Sequence, residues 1–407
     1  MSIAIHQAVS RGSSRSRCES RLRLVCVDHL ATQDSGRGVY REMARDPGIE
    51  LTLVVPPLWR DNFRDIPVEP SRPNDPFRLV VLPILFPGKS NRCLHPGLGA
   101  LLRRIKPDVV FTQSEPEDFL LTQIGLIRAI WGLSYKIVFV TSRNIHYGRL
   151  GLPYKFGWVY GCAEMLGLRF GDYCFSFSGQ GPETMAARGF HAVEVLPHFV
   201  DTKVFRPVDA SSLRESLGLT HFTIGCFGRL VPEKGVGLVL SAIAGLEQPV
   251  QLLVVGNGPH LGALRELARQ LGVAANVVYR PSVLRHEMPG YICACDAVVL
   301  PSYATPKWKE QFGRILIEAM ACGVPLIGSD SGDIPRVIGE AGLIFPEKDV
   351  AGLRTCIRRM MQDAGLRQRL REAGLERAFR EFSAEAVAAK RLRAVRALLD
   401  GRARSDR

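Results

Sequence analysis

A regular alternation of short apolar runs with segments of helix length sets the strongest limit on the fold. Five runs rich in β-branched residues occupy positions 22–30, 49–56, 77–85, 107–114 and 136–142. The pattern restarts with six more runs, at 221–229, 250–258, 275–281, 296–302, 324–330 and 342–346. Such alternation is typical of parallel sheets covered by helices. The sequence therefore predicts an α/β protein with two doubly wound, Rossmann-like domains.

The division between the domains is predicted near residues 207–220, where a short helical segment leads into the second set of strands. We expect a disordered basic tail over 1–20, a first domain over 21–206, a second over 207–380, and a basic helix with a tail over 381–407. Two sheets facing each other leave a cleft at the carboxyl ends of their strands, where ligands of open α/β sheets bind. Functional motifs are therefore expected on the strand-to-helix loops.

Composition excludes several other classes of protein. The 407 residues are 46% hydrophobic and 23% charged, as in ordinary soluble globular proteins, and no apolar run is long enough to span a membrane. The first twenty residues lack the apolar core of a signal peptide, although a transit peptide stays an alternative. Ten scattered cysteines, several in strand-like runs, indicate reduced thiols and a cytoplasmic protein.

The net charge of +13 is concentrated near the C-terminus. The last 54 residues carry 15 Lys and Arg against 7 Asp and Glu. Two interpretations stay open, namely contact with an anionic membrane surface and a solvated arginine-rich helix face. Nucleic-acid binding is not expected, because no recognition module or interleaved aromatic residues accompany the basic ones.

The first chemical motif directly follows a strand-like run and reads FGRLVPEKG. Its two cations, Arg229 and Lys234, suit a diphosphate, since Arg229 offers a planar fork and Lys234 a point charge. Amide groups at the start of the following helix would add to an anion site. Taken by itself, the motif is equally well interpreted as a solvated basic turn.

A second motif, VVGNGPHLGALREL, places Gly256, Gly258 and Gly262 between a strand and a helix, as in dinucleotide-binding folds. An NAD site also requires an acidic residue at the end of the next strand. That strand ends instead in Arg280 and Pro281. The glycines are therefore interpreted as a tight turn, and no nicotinamide cofactor is expected.

The most specific motif contains two glutamates, Glu310 and Glu318, in the sequence KEQFGRILIEAMACGVP. Glu310 is expected on the loop before a helix and Glu318 within it, so that one ligand can reach both. Carboxylates accept hydrogen bonds from vicinal hydroxyls, which indicates a sugar and a ribose. Taken alone, Glu318 would be a helix-surface residue, but an unpaired carboxylate in this apolar run would be costly.

Together these motifs resemble the retaining, nucleotide-sugar-dependent glycosyltransferases of family 4, which have two Rossmann-like domains in the GT-B arrangement. The resemblance rests on FGRLVPEKG, VVGNGP, CDAVVLPS, the E-x7-E segment with EAMACGVP, and GSDSGDIPRVIGEAGLIFPEKD, all within residues 221–349. The sequence VLPHFVDTKVFRP is similar to the family's end-of-domain signature. The match spans most of residues 22–380.

The resemblance implies a role for each of four charged side chains. Arg229 and Lys234 match the pair that holds the donor diphosphate and stabilises the leaving charge. Glu310 matches the first glutamate of the family's motif, which contacts hydroxyls of the donor sugar. Glu318 matches the second, which binds the nucleotide ribose.

Backbone groups complete the expected donor site. Gly313, Arg314 and Ile315 match residues whose backbone faces the phosphates, and Gly228 lies on the diphosphate loop. In the first domain, Gly36 within DSGRG would let the backbone approach the donor phosphate across the cleft, with a simple turn as an equal alternative.

The acceptor is expected on the first domain. The candidates are Arg143, Asn144 and His146, which follow a strand that ends at the same cleft, although a surface role is the first interpretation of His146. Residues 120–136 and 150–170 mix aromatic with basic residues. Packing of these helices on the sheet is the preferred interpretation, and contact with a membrane that carries a lipid-linked acceptor is the alternative.

The predicted activity is retaining transfer of a sugar from a nucleoside diphosphate sugar to a hydroxyl of a glycan or lipid-linked saccharide, in polysaccharide or glycoconjugate synthesis. The location expected is the cytoplasm, at the inner face of the membrane. The resemblance implies no protein base, metal or cofactor, because the leaving phosphate takes the acceptor proton and cationic side chains replace a metal. Alternatives are a nucleotide-sugar epimerase or hydrolase, and a non-catalytic membrane-associated scaffold.

Three positions depart from the family's commonest pattern. His198-Phe199 stands in place of Asn-Gly, Pro281-Ser282 in place of a Gly, and Arg336 in place of a Glu. None belongs to the E-x7-E core, so the predicted activity stands. The change at Pro281 leaves the choice of nucleobase open.

Overall fold

The computed structural model describes residues 21–60, 65–146 and 156–401. The basic tail predicted over residues 1–20 lies outside the described residues, as do residues 402–407 of the C-terminal tail.

The first domain is organised around a parallel sheet. Its strands are β1 (Leu22–Val27), β2 (Ile49–Val55), β3 (Leu58–Arg60), β4 (Asp65–Pro67), β5 (Arg78–Val81), β6 (Val109–Thr112), β7 (Lys136–Thr141), β8 (Tyr173–Ser176) and β9 (Val193–Val195). In the part of the chain that the structure describes, seven of these form one sheet of order β5-β2-β1-β6-β7-β8-β9, while β3 and β4 pair antiparallel. The five predicted runs each contain one strand of this sheet. Three-residue β9 and the β3–β4 pair carry too few residues to show a pattern in sequence.

Helices cover both faces of the first sheet. They are α1 (Gly38–Ala44), α2 (Leu98–Ile105), α3 (Phe119–Ile130), α4 (Gly157–Phe170) and α5 (Gly181–Ala186). Side chains from alternate positions of β1 point into different cores, so Leu24 and Cys26 pack toward α1 while Val25 and Val27 pack toward α2 and α3. Burial on both faces explains why these strands read as continuous apolar runs.

The second domain repeats the architecture. Its elements are α6 (Ser211–Ser216), β10 (Phe222–Phe227), α7 (Val236–Ala244), β11 (Val250–Val255), α8 (Leu261–Gln270), β12 (Val277–Arg280), α9 (Met288–Cys293), β13 (Ala297–Leu300), α10 (Arg314–Ala321), β14 (Leu326–Ser329), α11 (Ile334–Ile338), β15 (Gly342–Phe345), α12 (Val350–Gln362) and α13 (Ala364–Arg377). The described strands form a parallel sheet of order β12-β11-β10-β13-β14-β15. Each of the six predicted runs contains one of them. The predicted pair of doubly wound domains is therefore confirmed.

The last helix, α14 (Ala384–Leu399), returns to the first domain. Ser383 caps its N-terminus by accepting a hydrogen bond from the amide of Ala386 at 3.1 Å. Its apolar face, including Val387, Leu392 and Val395, is buried in the first-domain core with α1. This helix lies within the range 381–407 where a basic helix and a tail are expected, and it covers an apolar face of the first domain because burial of its apolar side chains is favourable.

Hydrogen bonds join the two domains beside the cleft. The Asn144 amide donates to the carbonyl of Glu310 at 3.0 Å. The backbone amide of Gly179 donates to the Asp333 carboxylate at 2.8 Å, and Arg336 pairs with the same carboxylate at 2.6 Å. Arg336 also donates to the carbonyl of Phe177 at 3.3 Å, which gives this departure from the family pattern a structural role between the domains.

Candidate functional site

The site is built on loops at the carboxyl ends of both sheets. Gly228 and Arg229 directly follow β10, and Arg229 is exposed to solvent. The loop is held by the amide of Leu230, which donates to the carbonyl of Asn257 at 2.9 Å. A short 3-10 turn, Pro232–Lys234, then leads into α7. This turn aims Lys234 back at the sheet end.

Lys234 and Glu310 form the central ion pair of the site. The Lys234 Nζ lies 2.6 Å from Glu310 Oε2, and the Ser302 hydroxyl donates to the same oxygen at 2.8 Å. Glu310 and Ser302 are both buried, and Lys234 also lies over the Trp308 ring, 5.1 Å from its centre. A buried carboxylate with two donors on one oxygen is fixed in position, and its Oε1 makes no hydrogen bond with a described residue. That oxygen is available to accept from a ligand hydroxyl.

The N-terminus of α10 follows the Glu310 loop by only three residues. Its N-cap is Gly313, whose φ of 80° is in the left-handed region, and a Cβ there would lie 2.6 Å from Leu300. Glycine supplies no side chain to cap the helix, so the first amides, starting with Arg314 and Ile315, keep their donors for an anion. Glu318 lies one turn further along this helix.

Glu318 is paired with Arg285, a residue that the sequence did not single out. Arg285 Nη1 lies 3.3 Å from Glu318 Oε1, and its guanidinium stacks over Phe205 at 5.0 Å. Burial, together with the like charge of Arg314, lowers the pKa of Arg285 below its ordinary value. Thirty-three positions separate Arg285 from Glu318, so no local pattern could have connected them.

A cavity of about 390 Å³ lies between the domains. Its second-domain wall includes Arg285, Arg314 and Glu318, and its first-domain wall includes Ser35 and Gly36. A Cβ on Gly36 would lie 2.5 Å from the carbonyl oxygen of Leu30, which only glycine avoids. The structure thus brings the glycine-rich loop of the first domain to the same cavity as the second glutamate of the motif.

His198 lies in the wall of this cavity. Its ring stacks on Phe177 with a centroid distance of 4.0 Å and meets Phe312 edge-on at 5.0 Å. Burial lowers the pKa of His198 well below the ordinary histidine value, and the charges of Arg314 and Arg391 lower it further. The imidazole is therefore neutral at physiological pH, where it offers one donor and one acceptor.

The three acceptor-side candidates have other surroundings. Arg143 is buried and pairs with Glu117 at 2.7 Å and with Glu164. Asn144 donates the hydrogen bond to the Glu310 carbonyl that joins the two domains. His146 is exposed, and its Nε2 lies 3.9 Å from the Glu183 carboxylate. None of the three lines the described part of the cavity. The geometry favours structural roles for Arg143 and Asn144.

Arg143 neutralises a group of buried carboxylates. Glu115 and Asp118 lie on the same loop, where burial raises the pKa of both side chains and the neighbouring Glu117 raises it further. The positive charge of Arg143 opposes this repulsion. A spacing argument from sequence cannot show such a cluster, because Glu164 comes from a different helix.

Among the described residues, no group of three or more His, Cys, Asp or Glu side chains could hold a metal ion.

Comparisons with known proteins agree with this geometry. Residues 211–377 match the family described as "Glycosyl transferases group 1". A GDP-mannose-dependent alpha-(1-6)-phosphatidylinositol monomannoside mannosyltransferase of Mycolicibacterium smegmatis is 34% identical over 182 residues, covering 42% of this chain and 48% of that protein. A D-inositol 3-phosphate glycosyltransferase of Stackebrandtia nassauensis is 32% identical over 194 residues, covering 44% and 43%. The matches thus span about half the length of these curated relatives.

Solved structures resemble nearly the whole chain. HepE of Anabaena, in complex with UDP and glucose, gives a TM-score of 0.69 at 18% identity and covers 93% of this chain and 100% of its own. Sucrose-phosphate synthase from Thermosynechococcus elongatus gives 0.66 at 19% identity, covering 94% and 100%. At these identities the likeness concerns the fold, and it confirms the predicted GT-B arrangement.

We predict that Arg143→Met lowers the free energy of unfolding by about 3 to 5 kcal/mol, because Glu117 and Glu164 would lose a buried cation. Urea denaturation measures the change. The control is Arg169→Met, which removes an exposed arginine of the same domain and should change stability by about 0.5 kcal/mol or less. Full stability of Arg143→Met together with lost acceptor binding would restore Arg143 to the acceptor site.

Proposed function

We propose that the chain transfers a sugar from a nucleoside diphosphate sugar to a hydroxyl of a glycan or lipid-linked acceptor, on the premise that residues 211–377 match the group 1 glycosyl transferases. The observation that carries the proposal is that cations, amide donors and carboxylates gather at the carboxyl end of the second sheet. The Arg229–Lys234 loop, the N-terminus of α10 and the cavity-facing Glu318 offer cations, amide donors and a hydroxyl acceptor. A diphosphate flanked by a sugar and a ribose requires this set of groups.

The donor would bind mainly to the second domain. We assign its diphosphate to Arg229, Lys234 and the amides at Gly313 to Ile315, and its ribose to Glu318. Oε2 of Glu318 makes no hydrogen bond with a described residue, so a ribose hydroxyl can use it without displacing Arg285. Glu310 Oε1 is available in the same way for a hydroxyl of the donor sugar.

Catalysis would rest on positioning and electrostatics. As the bond between the sugar and the diphosphate breaks, negative charge develops on the leaving phosphate, and Arg229 and Lys234 stabilise it. Lys234 is held by Glu310, so its ammonium needs little rearrangement to act. We propose that the leaving phosphate takes the acceptor proton on the same face of the sugar, which retains the anomeric configuration.

We predict that one nucleoside diphosphate among UDP, GDP, ADP and TDP raises the midpoint of thermal unfolding, because a ligand that binds only the native state stabilises it. Glu318→Ala should weaken this binding by about tenfold or more, through loss of hydrogen bonds to the ribose. The exposed Glu372→Ala, on α13, is the matched control. Absence of a shift with all four nucleotides would contradict the proposal, and a shift with NAD alone would favour a dehydrogenase.

A second prediction concerns the reaction itself. With the sugar donor of the nucleotide that binds, the product should keep the donor's anomeric configuration, as seen in the anomeric signals of its proton NMR spectrum. Turnover should be unchanged by EDTA, because the two cationic side chains supply the charge that a metal would otherwise supply. Inversion would refute the retaining mechanism, and loss of activity in EDTA that Mg²⁺ restores would refute metal independence.

The first domain presents an apolar groove that suits a membrane surface. The groove lies between α3 and α4 and has a volume of about 540 Å³. Ile130, Trp158 and Met165 on these helices are 73%, 64% and 65% exposed. Two exposed arginines contact aromatic residues of this face, Arg103 over the Trp131 ring at 5.2 Å and Arg92 over the Tyr160 ring at 6.0 Å. Exposed apolar side chains beside cations match the interface of an anionic bilayer.

We propose that this face rests on an anionic membrane at the cytoplasmic side and brings the cleft to a lipid-linked acceptor. No helix among the described residues is both long and apolar enough to cross a membrane. The described cysteines are free thiols, in accord with a reducing compartment. Residues 147–155, which precede α4, lie outside the described residues.

We predict that the protein binds vesicles of phosphatidylcholine and phosphatidylglycerol, and that Ile130→Asp weakens this binding about tenfold, since burying one isoleucine contributes about 1.5 to 3 kcal/mol. Vesicle sedimentation measures the change. Phe379→Asp alters another exposed apolar residue, 54% exposed and outside this face, and serves as the control. Equal loss in both variants, or no loss in Ile130→Asp, would contradict the assignment of this face.

A further inference from the structure

Arg391 is a buried arginine of α14 that pairs with no carboxylate among the described residues. Its residue is 4% exposed. Its guanidinium packs over the rings of Tyr40 and Phe111, with distances of 5.8 and 4.8 Å to their centres. Contacts with aromatic rings offset part of the cost of burying the charge. They leave its hydrogen-bond donors unused.

Two of these donors are unmatched within the described residues. Arg391 Nε and Nη1 are buried from solvent and have no hydrogen-bond partner. Asp28 is the acidic side chain that neighbours Tyr40, but its two oxygens already accept from the amide of Leu30 and from the Tyr40 hydroxyl, each at 2.7 Å. Buried polar groups in proteins are nearly always hydrogen-bonded, so each exception calls for an explanation.

Arg391 also lies in the wall of the cavity between the domains. Arg285 and Arg314 line the same cavity from the second domain, and the carboxylates of Asp28 and Glu318 line it as well. Three guanidinium groups against two carboxylates leave an excess of positive charge in a confined space. A neutral ligand would leave this excess uncompensated, whereas an anion would neutralise it.

The position of Arg391 separates it from the proposed diphosphate site. Arg229, Lys234 and the N-terminus of α10 all belong to the second domain, while Arg391 packs in the core of the first domain through α14. His198 lines the same cavity as Arg314 and Arg391. Arg391 therefore lines the cavity from the first domain, the domain on which the acceptor is expected.

We infer that Arg391 binds an anionic group, a phosphate or a carboxylate, on the acceptor substrate. This inference rests on the proposed function and narrows it to acceptors that carry a negative charge beside the hydroxyl that is glycosylated. Arg391 is then a binding residue that sets acceptor specificity and has no part in the chemical step. A purely structural Arg391 would fill the core without responding to any anion.

Calorimetric titration with inorganic phosphate, and separately with acetate, tests the inference. The titrations use the full chain in a Lys234→Ala background, which removes one cation of the proposed diphosphate site, and they need no nucleotide. Arg391→Met keeps the length of the side chain but removes its charge and donors. Arg393→Met, at an exposed position of the same helix, is the matched control.

We expect one of the two anions to bind, with an affinity that falls about tenfold or more in Arg391→Met and is unchanged in Arg393→Met. Arg391→Lys should recover part of the affinity, since it restores the charge without the planar fork. The anion that binds identifies the group on the acceptor. Circular dichroism and thermal unfolding establish whether each variant is folded. If Arg391→Met does not fold, the affinity of Arg391→Lys is compared with that of the protein with Arg391 intact.

Two results would overturn the inference: binding of neither anion to the protein with Arg391 intact, or equal binding in its presence and absence. If the proposed function itself is wrong, no nucleoside diphosphate will raise the midpoint of thermal unfolding, and this result is distinct from the two above. A loss of nucleoside diphosphate binding in Arg391→Met with Lys234 intact would also overturn it, because Arg391 would then serve the donor.

Discussion

The buried carboxylate of Glu310 holds the site together. Its side chain accepts from Lys234 and Ser302, which follow two different strands of the second sheet. Its carbonyl oxygen accepts from Asn144 of the first domain and from the amide of Asp333. One residue thus joins the diphosphate loop, the sheet end and the opposite domain. A charge buried in this way persists only when its partners are fixed, so the loops around it are fixed as well.

The cleft combines this fixed centre with unused hydrogen-bonding capacity. The first amides of α10, one oxygen of Glu318 and the guanidinium donors of Arg391 lie within or around the space between the domains. Groups of this kind are costly when left unpaired in a folded protein. Their concentration at the carboxyl ends of two parallel sheets is the physical signature of a binding site for a charged, hydroxyl-rich ligand.

After the second domain the chain returns to the first domain, whose core is completed by the last helix, α14. α14 buries its apolar face against α1 and the first sheet, although it follows the second domain in sequence. The backbone of Val200 donates to the carbonyl of Phe382 at 2.8 Å, which fixes the place where the chain crosses back. Arg391 reaches the cleft only because of this return. α14 is therefore part of the first domain, and its exposed arginines, Arg393 and Arg396, lie on the outer face of the helix.

The sequence by itself determined the two parallel sheets, the loops that carry Arg229, Lys234 and Glu310, and the helix that carries Glu318, because strand periodicity and motif spacing are local properties of the chain. It also named Gly36, whose lack of a side chain is required by the nearby Leu30 carbonyl. Only the tertiary structure decided that Arg143 neutralises buried carboxylates, that Arg285 pairs with Glu318, and that Arg391 lies in the cleft. Each of these arrangements depends on residues that are far apart in sequence. The periodicity of hydrophobic residues and the spacing of motifs describe local segments, so they cannot show which distant charged residues come into contact.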